Sequence, residues 1–148
     1  MKFLRLENKF SALVVDDEQQ ICDMVKIFLT FSGLFENVVT ANDVIVAKQK
    51  LSNQKFDLII IDNILPKRGG LDLVDYINNY SRNANYQKTR IILISGVLKA
   101  EDVISATRYG IKHILVKPFT NQKLIAAACD ILGISTPNKD SELWNLVL

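Results

Sequence analysis

Two hydrophobic rhythms alternate along the chain. Short unbroken apolar runs, such as Leu58-Ile59-Ile60-Ile61 and Ile91-Ile92-Leu93-Ile94, are separated by segments whose apolar residues recur every three or four positions. The unbroken runs suit strands buried on both faces, and the wider spacing suits helices with one buried stripe. Strands are predicted at Ser11–Val15, Val38–Val39, Leu58–Ile61, Ile91–Ile94 and Ile114–Val116. Between and after them lie five helices. The first carries Ile21, Met24, Val25, Phe28 and Leu29 and stops at Gly33. The second carries Val44, Ala47 and Leu51. The third opens near Gly70 and carries Leu73, Val74 and Ile77. The fourth, weaker, runs from Ala100 to Tyr109 before Gly110. The last carries Leu124, Ala127, Ala128 and Ile131 and stops at Gly133. This alternation predicts an α/β fold, a doubly wound five-stranded parallel sheet covered by helices on both sides, with right-handed crossovers. The polar stretch Ser81–Thr89 reads as a loop. Residues 1–133 form the expected domain. Residues 134–148 read as a linker and a short tail, with Leu143, Leu146 and Val147 on one side of a brief helix.

Bulk properties narrow the class. A chain of 148 residues that is 49% hydrophobic can bury one real core and is not disordered. A net charge of +2 gives no argument for direct nucleic-acid binding. No apolar stretch is long enough for a membrane span, and Met1–Phe10 lacks the apolar core of a signal peptide. A cytoplasmic location is expected. Cys22 and Cys129 are too far apart in sequence for a metal motif and read as reduced thiols on apolar helix faces.

The polar residues at the strand ends carry the chemistry. Asp16-Asp17 follows the first strand, Asp62 the third, Ser95 the fourth and Lys117 the fifth. In a parallel sheet these ends share one edge, where open α/β proteins bind ligands. Three acids, a hydroxyl and an ammonium therefore converge. The acids repel one another, and a hard cation such as Mg²⁺ relieves that with oxygen ligands. A carboxylate beside a metal, a lysine and a hydroxyl is equipped to accept a phosphoryl group. Taken singly, each residue has a plainer role. Asp17 and Glu18 open a helix, where acids are favoured, and Ser95-Gly96 could be an ordinary turn.

These residues resemble the receiver domain of two-component response regulators. The resemblance runs from about Ser11 to Leu132. It rests on Val15-Asp16-Asp17-Glu18, on Asp62 with Leu65-Pro66 and Gly70, on Ser95, and on Lys117-Pro118-Phe119. It implies a flavodoxin-like sheet of order 2-1-3-4-5. It implies Asp62 as phosphoacceptor, with Ser95 and Lys117 contacting the phosphoryl group. Mg²⁺ would be held by Asp17 directly, by Asp16 through water, by Asp62 and by the backbone carbonyl of Ile64. A cis bond before Pro118 is implied too. The implied partners are a histidine kinase or histidine phosphotransfer protein and a downstream protein that docks on the helix 4–strand 5–helix 5 face. A monomer or weak dimer is expected, and not a turnover enzyme on a small molecule.

One position departs from the family pattern. An aromatic residue usually stands three before the lysine and joins Ser95 in the switch, but Ile114 is found here. That favours the alternative of a binding module that works without phosphorylation. His113, the single histidine, reads as a surface residue with nothing to orient it. A phosphatase of the haloacid-dehalogenase type would need an Asp where Ile64 stands. A flavin protein would need a neutral phosphate loop where Asp16-Asp17-Glu18 stands.

Overall fold

The computed structural model describes residues 9–65, 69–80 and 90–137. Pro66, the expected loop Ser81–Thr89 and the tail from Asn138 onward lie outside these residues. The elements run β1 (Phe10–Val15), α1 (Gln19–Phe31), β2 (Phe35–Ala41), α2 (Val44–Asn53), β3 (Leu58–Asp62), α3 (Gly70–Asn79), β4 (Ile91–Ser95), α4 (Ala100–Arg108), β5 (His113–Val116) and α5 (Asn121–Leu132). All strand pairings are parallel, in the order β2-β1-β3-β4-β5.

The unbroken apolar runs are explained by two cores, one on each face. Ala12, Val14, Leu58, Ile60, Ile92 and Ile94 face α1 and α5. Their neighbours Leu13, Val15, Ile59, Ile61, Ile91 and Leu93 face α2, α3 and α4. Successive side chains of a strand point to opposite faces, so a strand covered on both sides must be apolar at every position. Ile134 also packs against the first core, and its N–H donates to the Cys129 carbonyl at 3.0 Å.

β2 is longer than its two-valine signal. Among the described residues it pairs only with β1, and it carries exposed Glu36 and half-buried Asn37, which break the apolar run. Between Phe10↔Phe35 and Ser11↔Asn37 the register slips by one residue at Glu36, a bulge on an edge strand. α4 is weak for a visible reason, since Ala106 is its one buried residue.

Helix ends follow the local chemistry. Asp43 accepts the Val46 N–H at 2.8 Å and starts α2, and Thr120 accepts the Lys123 N–H at 3.1 Å and starts α5. Gly133 ends α5 in the left-handed conformation, φ 70°. At Gly70 the need is space: a Cβ there would run into the carbonyl oxygen of Asp62. That close approach lets α3 begin directly against the end of β3.

Candidate functional site

The strand registers set the site. Val15 pairs with Ile61, so Asp16 and Asp62 leave adjacent strands at the same level. Asp62 pairs with Ile94, and Ser95 with Val116, which places Ser95 and Lys117 on the same edge. The Lys117 N–H donates to the Ser95 carbonyl at 2.8 Å, extending the ladder by one bond. The Lys117–Pro118 peptide is cis.

Lys117 is the hub. Its Nζ lies 2.8 Å from Asp16 Oδ2, 3.1 Å from Glu18 Oε1 and 3.2 Å from Asp62 Oδ2. Asp16 is fully buried and Asp62 nearly so, while Asp17 and Glu18 are exposed. Backbone donors complete the buried acids. Asp16 Oδ1 accepts the Glu18 N–H at 2.8 Å, and Asp62 Oδ1 accepts the Ile64 N–H at 3.1 Å. Burial pushes the Asp16 carboxyl above its ordinary range, against the Lys117 ammonium that favours its charged form. For Lys117, burial disfavours the ammonium. The Asp16 and Glu18 carboxylates outweigh this and hold it charged well above neutral pH.

The acids also fit a cation. Ligand oxygens of Asp16, Asp17, Glu18 and Asp62 lie within 4.8 Å of one another. Asp16 Oδ2 is buried and has Lys117 as an ion-pair partner, yet it accepts no aligned hydrogen bond. A buried carboxylate oxygen left in this way has room in its bonding for a hard cation.

The other predicted positions are less committed. The Ser95 hydroxyl donates to the Val97 carbonyl at 2.7 Å, within its own loop. Ile64 and Val97, in the loops that follow β3 and β4, are each 60% exposed. Ile114 is half-buried and packs against the core that holds Leu93 and Ala106. His113 begins β5, at the end away from Lys117. The expectation that nothing orients it is corrected here: Asp130 Oδ2 lies 2.8 Å from its Nε2. α5 supplies that partner, and sequence distance hid it.

Three residues gain roles that their sequence context did not suggest. Glu18 sits at the start of α1 but caps no helix N–H; its carboxylate goes to Lys117 instead. Asn42 donates its side-chain amide to the Asp16 carbonyl at 3.0 Å, and the Cys22 thiol donates to the same oxygen at 3.4 Å. Cys22 and Cys129 are both free and buried, as the thiol reading expects. The adjacency of β1 and β2 was the one signal that could have brought Asn42 to the acids.

A family model described as response regulator receiver domain matches residues 12–129. The chain belongs to this family. As a receiver it is 34% identical over 122 residues to the chemotaxis protein CheY1 of Helicobacter pylori, covering 82% of this chain and 95% of that one. It is 30% identical over 118 residues to the transcription factor SKN7 of Candida albicans, covering 80% of this chain but only 20% of the factor. Among solved structures, the Vibrio cholerae chemotaxis protein CheY4 matches with a TM-score of 0.74 at 27% identity, covering 84% of this receiver and 99% of that chain. Receivers generally bind Mg²⁺, and the acidic cluster here is of a kind that could hold it. No helix among the described residues is long and apolar enough to cross a membrane.

Proposed function

We propose that this receiver takes a phosphoryl group onto Asp62 from a phosphohistidine of a kinase or phosphotransfer protein and signals through protein contacts. One observation supports this above the rest. A single ammonium, Lys117, bridges Asp62 and the fully buried Asp16 within 3.2 Å, at the edge that also gathers Asp17 and Glu18. Asp17, Asp16 through water, Asp62 and the Ile64 carbonyl would hold Mg²⁺. Bound there, the metal would neutralise charge on the group being transferred.

The chain's own residues do the rest. Asp62 is anchored by β3 and by the Ile64 N–H, so its carboxylate is positioned before a donor arrives. Lys117 offsets negative charge on the phosphoryl oxygens. Ser95 releases the Val97 carbonyl and donates its hydroxyl to a phosphoryl oxygen, drawing its loop inward. That loop leads into α4, where Val103 and Ile104 are exposed, as is Val116 of β5. We place the downstream contact on this α4–β5–α5 face, and the protein in the cytoplasm as a monomer or weak dimer.

The test is mass spectrometry after incubation with acetyl phosphate and Mg²⁺. One added phosphoryl group is expected in the parent and none in Asp62→Asn. Equal uptake by both proteins overturns the assignment.

A second reading is a module that binds its partner without phosphorylation. Ile114 favours it, because a half-buried aliphatic side chain in core contact has no ring to turn and no hydroxyl to offer. Partner binding that is unchanged by phosphorylation would establish this alternative.

A further inference from the structure

Lys117 has three N–H donors and three carboxylates around it: Asp16 at 2.8 Å, Glu18 at 3.1 Å and Asp62 at 3.2 Å. In the proposed function, which this inference rests on, the same ammonium must also meet a phosphoryl oxygen. Its two aligned hydrogen bonds go to Glu18 and Asp62, so one of these has to loosen for that oxygen to be met in the same way. The three differ in what release would cost. The side chains of Asp16 and Asp62 are 0% and 6% exposed, and that of Glu18 is 61% exposed. A buried carboxylate that loses its cation is left with an unpaired charge in low dielectric. An exposed carboxylate turns into water at little cost.

We propose that Glu18 is a latch on Lys117: it occupies in the resting site the lysine donor that an incoming phosphoryl oxygen requires, and it swings into solvent when that oxygen arrives. Glu18 acts through Lys117 and is a positioning residue. Its place explains why it caps no N–H of α1, although it stands at the N-cap and an acid there is favoured. It keeps the lysine aimed at the carboxylates while no donor is bound. Being exposed, it also adds negative charge on the solvent side of the lysine. In the transfer itself a bond forms between an Asp62 carboxylate oxygen and phosphorus. The donor's bond to phosphorus breaks, and its electron pair leaves with the donor. Glu18 takes no part in that exchange.

The experiment compares the parent, Glu18→Gln and Glu18→Asp in two assays at saturating Mg²⁺. The first is the rate of phosphorylation by acetyl phosphate. The second is the affinity for beryllofluoride, which mimics a bound phosphoryl group without chemistry. The latch predicts that Glu18→Gln is phosphorylated about threefold faster and binds beryllofluoride about threefold tighter, the scale of one exposed ion pair. Glu18→Asp keeps the charge but loses the reach, and is expected to follow Glu18→Gln. The difference from the parent should narrow at high salt, because an exposed pair is screened. Unchanged or weaker beryllofluoride binding in Glu18→Gln overturns the latch, as does a Glu18→Asp variant that behaves like the parent. A parent that takes up neither phosphate nor beryllofluoride overturns the proposed function instead, and the latch with it.

Discussion

The side-chain amide of Asn42, at the end of β2, holds the backbone carbonyl of Asp16 at 3.0 Å. The Cys22 thiol of α1 shares that oxygen from 3.4 Å. The acid pair is thus tied to the elements on either side of it. Asn42 is exposed and its backbone is set by β2 and by the Asp43 cap, so removing its amide should leave the fold intact. The Asp16-Asp17 peptide would lose one restraint worth about 1 kcal/mol. Asn42→Ala is expected to weaken Mg²⁺ binding about fivefold by calorimetry, with little change in melting temperature. Unchanged affinity would show that the amide is incidental.

Persistence of the phosphoryl group depends on how water approaches it. Hydrolysis needs a water in line with phosphorus, opposite the Asp62 oxygen. Ile64 and Val97, each 60% exposed in the loops after Asp62 and Ser95, have side chains that offer no hydrogen bond to such a water. The phosphorylated parent is therefore expected to be long-lived. The double variant Ile64→Asn with Val97→Glu should release phosphate about tenfold faster, below the full effect of a positioned acid–base group because the water is only oriented. Phosphate release from the purified proteins gives the comparison.

Burial pushes the Cys22 thiol from its usual 9.0 up to about 11. The folded protein therefore keeps that proton between these values while the unfolded chain loses it. With fewer protons bound in the unfolded state, stability falls as pH rises through this window. Urea unfolding at pH 8 and pH 10.5 should show a loss that is smaller in Cys22→Ala. Iodoacetamide should label Cys22 slowly in the native state and readily in denaturant.

Gly70→Ala tests the close approach of α3 to β3. The added methyl meets backbone, the Asp62 carbonyl, and backbone cannot step aside as a side chain can. A loss of about 2–3 kcal/mol in urea unfolding is expected, together with impaired phosphorylation because Asp62 shifts. Wild-type stability in this variant would mean that the turn relaxes freely.

Much of this architecture is legible in the sequence because both faces of the sheet are buried. Leu58–Ile61 and Ile91–Ile94 have no polar position, so their strands stand out. β2 reads poorly because an edge strand with one partner carries Glu36, Asn37 and Thr40 among its apolar residues. Asp16, Asp62, Ser95 and Lys117 are legible as a group, since parallel strands must end on a common edge. Glu18 is not, because an acid at a helix start has an ordinary local explanation. Asn42 and the His113–Asp130 pair are not, because their partners come from other elements and no local pattern marks them.

The Lys117 hub has a consequence for how the protein is made. Glu18 and Lys117 are 99 residues apart, and Asp62 and Lys117 are 55 apart. β5 reaches β1 only through β4 and β3. A nascent chain that has emerged only through β4 holds the acids of the first and third strands with no ammonium between them. Without a bound cation their repulsion opposes closure of that edge, and the last of the described strands, β5, is the one that leads into the residue neutralising it. The chain's own counter-charge for its acid cluster thus arrives only with completion of the sheet.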